Sequence, residues 1–295
     1  MTDHGHRAKI VPGECLNRLK QDIDDLKNGS KSGYYDFNVP DLDFEVNSLI
    51  IVASKSSRVL VNFTVDGEKI PLNIPPSYAD MYTISEEMEK NANDFLAPKG
   101  NHVKIASKLP LKILAVRSGL CIYGRNNICY REDMGSFLRL TALYSDIKCD
   151  EANWYELRQM DSCKKCTICL NMCPTKAITK ESHLIKRDRC LTLYNENEGD
   201  FPDWIDYRAH NSIVGCIRCQ ENCPHNKEFK NDIIESVDFS EEESKLLIDG
   251  EPLEKYPEPL LEKMRALGMM VYASVISRNL KVLLNATQGC QISNQ

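Results

Sequence analysis

Two tight cysteine runs constrain this 295-residue chain more than any other feature. The first reads CKKCTICLNMCP and places Cys163, Cys166, Cys169 and Cys173 ahead of Pro174. The second reads CIRCQENCP and places Cys216, Cys219 and Cys223 ahead of Pro224. Cys190, in the intervening segment RDRCLTLY, is an eighth thiol close by in sequence. A disulfide framework suits small exported chains, but no apolar leader is visible here and the total of 13 cysteines is odd. A single tetrahedral zinc needs only four ligands, and the first run alone supplies four.

The first run has the C-x2-C-x2-C-x3-C-P spacing that holds iron–sulfur cubanes in bacterial ferredoxins, where three thiolates bind one cluster and the fourth crosses to the other. The second run is one cysteine short, and Cys190 fills the gap. Four plus four thiolates close two [4Fe-4S] clusters, which makes electron transfer the function that the residues indicate. Cys15, Cys121, Cys129, Cys149 and Cys290 are scattered, and free cysteine packs as a small hydrophobe.

At 42% hydrophobic residues the chain can bury substantial cores, and no run of apolar residues is long enough to span a bilayer. Abundant free thiols and the missing export signal place it in the cytoplasm with no membrane partner. The net charge of −6 is unevenly spread. Lys164, Lys165, Lys176, Lys180, Lys186, Arg187 and Arg189 surround the first run, whereas acids dominate after Cys190. Such a basic collar either steers an acidic low-potential donor, a ferredoxin or flavodoxin, or is an ordinary solvated surface. The acidic C-terminal third is a poor electrostatic footprint for nucleic acid.

The expected fold class is α+β, with an α/β region over residues 1–150, a ferredoxin-like two-cluster module over 151–230 and a short helical extension over 231–295. Apolar spacing predicts a helix from Cys15 toward Leu26 and a buried strand over Leu49–Val52. Alternation before and after Asp66-Gly67 predicts a hairpin from Val59 to Ile74. Thr83 and Glu86 have capping-box spacing for a helix toward Leu96. A strand is expected over His102–Ala106, a helix from Pro110 to Gly119 and a strand over Phe137–Tyr144. Ser240–Ile248 and Pro257–Ala286 read as helices, the second with Leu260, Leu261, Met264, Leu267, Met270 and Val271 on its apolar face; the last nine residues read as loose. Residues 119–144, rich in Gly, Asn and aromatics, are either a ligand-binding loop or a connector.

The cysteine module, together with SGLCIYGRNNICYREDMGSFLRL upstream, resembles the epoxyqueuosine reductases, cobalamin-dependent relatives of the reductive dehalogenases. The resemblance covers roughly residues 45–228. It implies a nitroreductase-like sheet with helices in the cobalamin-binding half. It also implies that Cys163, Cys166, Cys169 and Cys223 hold the first cubane, and that Cys173, Cys190, Cys216 and Cys219 hold the second, beside the corrin. By the same likeness Asn126, Cys129, Tyr130, Gly135, Ser136 and Leu140 line the cobalamin pocket.

Two departures stand out. The family aspartate that donates a proton has no counterpart in HVKIASKLPLKIL, where Ser107 or Lys108 stands near its place; Tyr123 and Tyr130 are the substitutes within reach in sequence. The family carries a C-terminal helical-repeat extension that helps cradle tRNA, whereas the 72 residues after Cys223 here are acidic. These departures favour a cobalamin-linked reductase with a substrate other than a queuosine-precursor tRNA. The alternatives are a corrin-free electron carrier that activates a separate corrinoid protein, and epoxyqueuosine reduction on tRNA after all.

Overall fold

The computed structural model describes residues 5–29, 37–79, 81–150 and 153–292. The strands are β1 (His6–Pro12), β2 (Ser48–Lys55), β3 (Arg58–Val65), β4 (Glu68–Ile74), β5 (Val103–Ile105), β6 (Ile122–Tyr123), β7 (Cys129–Tyr130), β8 (Leu138–Ser145) and β9 (Ile233–Phe239). The α-helices are α1 (Cys15–Gly29), α2 (Met81–Leu96), α3 (Leu111–Arg117), α4 (Ile168–Met172), α5 (Leu191–Glu196), α6 (Arg218–Glu221), α7 (Glu241–Asp249), α8 (Glu258–Ala266) and α9 (Ala273–Ile292). The chain forms two compact units, one of residues 1–55 with 82–166 and the other of 56–81 with 167–295.

The first unit is built on an antiparallel sheet in the order β1-β2-β8-β5. Side chains alternate across a strand, and β2 uses both faces. Leu49, Ile51 and Ala53 pack with Leu19 and Ile23 of α1 and Leu114 of α3. Ile50 turns the other way and packs with Ala92 and Leu96 of α2. Helices therefore cover both faces of the sheet.

The second unit contains the sheet β4-β3-β9, in which β9 runs parallel to β3. Phe63 stacks on Phe239 with ring centroids 4.6 Å apart. Val61, Phe63 and Ile74 share a core with Leu247, Leu260, Met264, Ile276 and Leu280 from α7, α8 and α9. The 58–74 hairpin thus packs with helices from the far end of the chain.

Most expected elements are present, and three differ. Helix α2 begins at Met81, so Thr83 lies inside it and is not its cap. The capping box is instead at α7, where Ser240 accepts from the Glu243 N–H and Glu243 returns the bond to the Ser240 N–H. The helix expected over Pro257–Ala286 is broken at Gly268, whose φ of 66° ends α8, and a 3-10 turn at Met269–Tyr272 precedes α9. That break resets the apolar stripe: Leu260, Met264 and Leu267 are buried, but Val271 is 46% exposed. Helix α9 continues to Ile292, well into the tail expected to be loose. Among the described residues no single helix is long and apolar enough to cross a membrane.

Candidate iron–sulfur centre

Four of the eight cysteines in question lie in the second unit at the ends of short helices. Cys173 ends α4, Cys190 precedes α5, and Cys216 and Cys219 bracket the start of α6. Cys173, Cys190 and Cys219 pack around Ala177 and Ile178. Cys216 packs with Leu191, Ile205 and Ala209. Burial, with a smaller contribution from the thiols of Cys190 and Cys173, raises the Cys216 thiol to about 11 against the N–H donors of Asn211 and Arg218. Burial also raises Cys219 well above its ordinary range, followed by the thiols of Cys216, Cys190, Cys173 and Cys169. The four sulfurs are therefore electrostatic neighbours in an apolar setting where bare thiolates are costly. Cationic iron offsets that cost, because a metal inverts the local electrostatics and binds the deprotonated thiol. This donor set fits a cubane.

The local backbone is arranged for sulfur. Lys176 adopts φ 56°, unusual for a residue with a Cβ, and the turn it makes points the Ala177 N–H at the Cys173 Sγ, 3.3 Å away. Asn211 Nδ2 donates to the Cys216 Sγ at 3.2 Å. Hydrogen bonds to sulfur are among the means by which a protein sets cluster potential. Of the other four cysteines, Cys163 and Cys166 belong to the first unit, and Cys169 and Cys223 to the second. The buried Arg125 guanidinium donates to the carbonyl of Cys163, anchoring that ligand loop. Among the described residues no three His, Cys, Asp or Glu side chains converge as they would on a single ion. Cys15, Cys121 and Cys129 are buried, as expected for packing thiols; Cys149 is half-buried and the Cys290 side chain lies outside the described residues.

Sequence reasoning missed the buried amides that hold this site. Asn195, just past Cys190, donates from Nδ2 to the carbonyl of Gly215 at 2.8 Å. Asn279 on α9 donates to the carbonyls of Asn195 at 2.8 Å and Ile213 at 2.9 Å. Both asparagines are fully buried. Arg278 adds bonds to the carbonyls of Tyr194, Asn197 and Gly199. The C-terminal helix thus ties the segment of Cys190 to the segment of Cys216. Tyr78 donates to Glu196 beneath the same loop, and a Cβ on Gly215, where φ is 63°, would run into the Tyr78 hydroxyl. Gly215→Ala is therefore expected to cost about 1–2 kcal/mol from the left-handed backbone alone, plus the displacement of Tyr78. Thermal melting and iron retention would measure it, and an unchanged melting temperature would reject this packing.

The 119–140 loop is compact. β6 and β7 pair across a turn in which Asn127 has φ 61°, and Asn126 Nδ2 donates to the Tyr130 hydroxyl at 2.9 Å. Asn126, Cys129, Tyr130, Gly135 and Ser136 are buried, whereas Leu140 is half-buried. Burial raises Cys129 well above the thiol range, helped by the neighbouring Cys121. Tyr123 is buried as well, and Ser107 and Lys108 are exposed in the turn between β5 and α3. All seven basic residues of the collar are exposed. Arg189 lies over the ring of the exposed Trp204, 4.6 Å from its centroid.

Residues 162–226 match a family described as a 4Fe-4S double cluster binding domain. That segment therefore carries the pattern of a double-cluster iron–sulfur domain. The chain is epoxyqueuosine reductase-like: 113 residues are 29% identical to the epoxyqueuosine reductase of Lactococcus garvieae (strain Lg2). That match covers 37% of this chain and only 29% of the relative's length. The fold resembles that of the epoxyqueuosine reductase from Bacillus subtilis, solved with its catalytic loop swung out of the active site (TM-score 0.67, 19% identity, covering 95% of this chain and 77% of that one). It also resembles the Streptococcus thermophilus enzyme (TM-score 0.64, 15% identity, 97% and 79%). A third solved epoxyqueuosine reductase carries a tRNA-Tyr epoxyqueuosine-modified stem loop (TM-score 0.63, 19% identity, 95% and 77%). One expectation, that nucleic acid is an unlikely partner, conflicts with these relatives. A protein of this fold has been solved with RNA, so the acidic C-terminal third is a poor reason to discount nucleic acid. Net charge averages over the whole chain, whereas phosphates meet local surface, and the collar here is basic and exposed.

Proposed function

We propose that this chain is a reductase that passes single electrons through two cubanes to a modified nucleoside carried by tRNA. The observation that carries this reading is the double-cluster module set within an epoxyqueuosine reductase fold over 95–97% of the chain. Cys163, Cys166, Cys169 and Cys223 would hold one cubane, and Cys173, Cys190, Cys216 and Cys219 the other. Removing an epoxide oxygen takes two electrons, while each cubane carries one, so two clusters in series suit the task. The exposed collar from Lys164 to Arg189 would receive an acidic one-electron donor, a ferredoxin or flavodoxin. Cobalamin is the cofactor that the resemblance implies, and its cobalt would supply the two-electron chemistry when bound. Asn126, Cys129, Tyr130, Gly135, Ser136 and Leu140 would line its site by the same likeness. The proton source is assigned to neither Ser107 nor Lys108; the buried Tyr130 hydroxyl, held by Asn126, is the nearer chemical match to an acid.

The test uses the anaerobically purified full chain, a low-potential reductant, cobalamin and tRNA bearing epoxyqueuosine. Conversion of the nucleoside and tRNA binding that survives physiological salt are expected. Binding lost at that salt, with no conversion, would reject the proposal. A second reading is a corrin-free electron carrier serving a corrinoid protein. Absorption spectra after incubation with cobalamin separate the two: corrin bands retained through gel filtration oppose the carrier reading, and a cluster shoulder alone supports it.

A further inference from the structure

We infer that Asn211 sets the reduction potential of the cubane that Cys216 ligates. The inference rests on the two-cluster reading and is independent of the tRNA substrate. The side chain of Asn211 is committed at every position. Its Nδ2 donates to the carbonyl of Ala209 at 2.8 Å and to the Cys216 Sγ at 3.2 Å. Its Oδ1 accepts from the Ile217 N–H at 3.0 Å and from the Ser212 hydroxyl at 3.1 Å. A backbone N–H can only donate, so the Ile217 bond fixes which end of the amide faces it, and the N–H end must face the sulfur. The backbone is fixed too. Asn73 on β4 donates to the Asn211 carbonyl at 3.4 Å, and the Ile213 N–H donates to the Asn73 carbonyl at 2.9 Å. A donor held this firmly cannot swing away when the cluster changes charge.

Reduction adds an electron that is shared onto the cluster sulfurs, including the cysteine thiolates. An N–H dipole aimed at one of those thiolates stabilises the reduced state more than the oxidised one, and so raises the potential. Asn211 is a positioning and tuning residue in this sense, since it touches a ligand and not the substrate. Raising this cubane favours electron flow toward it.

The experiment is an EPR-monitored redox titration of the full chain carrying Asn211→Asp, with iron analysis. The carboxylate keeps the acceptor for Ile217 but has no N–H for sulfur. Iron content should stay at about eight per chain. One cluster should become harder to reduce, with its reduced-to-oxidised ratio at fixed ambient potential falling about tenfold, equivalent to about 59 mV for a one-electron couple. The other cluster should not move. Full iron content with both potentials unchanged would overturn the inference. Should the variant lose iron, the wild-type chain labelled with 15N-asparagine decides: pulsed EPR of the reduced protein should show a 15N coupling that is absent in unlabelled protein, and no coupling would overturn the inference. Failure of the cluster reading itself would look different, because Cys216→Ser would then leave the iron content whole.

Discussion

Cys190→Ser should leave one cubane intact and abolish the other, reducing iron from about eight to about four per chain. Cys190 stands alone between the two runs, yet its thiol lies in the same apolar cluster as Cys173 and Cys219 and is felt electrostatically by Cys216. A serine hydroxyl there is a poor donor to iron and would remain protonated in so apolar a setting. Cys169→Ser should remove the opposite cubane, and the two spectra should differ in which EPR signal survives. Cys149→Ser, at a half-buried thiol outside both runs, should change nothing. A Cys190→Ser protein with its full iron complement would end the proposed ligand assignment.

Asn279→Leu should destabilise the protein by about 2–5 kcal/mol, since it leaves two buried carbonyls, those of Asn195 and Ile213, without their donor. The leucine approximates the volume of the amide, so the loss reports hydrogen bonding more than packing. Because the two carbonyls belong to segments that carry Cys190 and Cys216, loss of stability should come with faster loss of iron on exposure to a chelator. Val271→Ala, also near the start of the C-terminal helices but 46% exposed, should shift stability by no more than about 0.5 kcal/mol. Equal melting temperatures for Asn279→Leu and wild type would refute the clamp.

The difference between these two predictions marks what was legible in the sequence. Thiolate ligation demands fixed spacing, so the cysteine runs could be read directly, and they fall within the double-cluster domain over residues 162–226. A buried asparagine looks like a surface one in sequence, and nothing in HNSIVGC distinguishes Asn211 from a loop residue. The Val59–Ile74 hairpin was legible because Asp66-Gly67 sits between two alternating runs, and Asp66 indeed has φ 51°. Its parallel partner β9 was not, because pairing between distant segments leaves no local signature. The pattern Thr83-x-x-Glu86 suggested a cap where the helix was already under way, whereas the helix expected over Ser240–Ile248 was read without the box that Ser240 and Glu243 form. For the loop at 119–140 the glycines were visible, but not that its polar side chains bond to each other.

The pairing of β3 with β9 joins residues 176 positions apart, as Asn62 and Asp238 show. Contacts of such long sequence separation slow folding. During translation the 58–74 hairpin must wait, unpaired on one edge, until residues 233–239 have left the ribosome. The thiols between them emerge in that interval, so the cubanes can be installed only late, and the nascent chain is exposed to oxygen and to premature association before its final strand arrives.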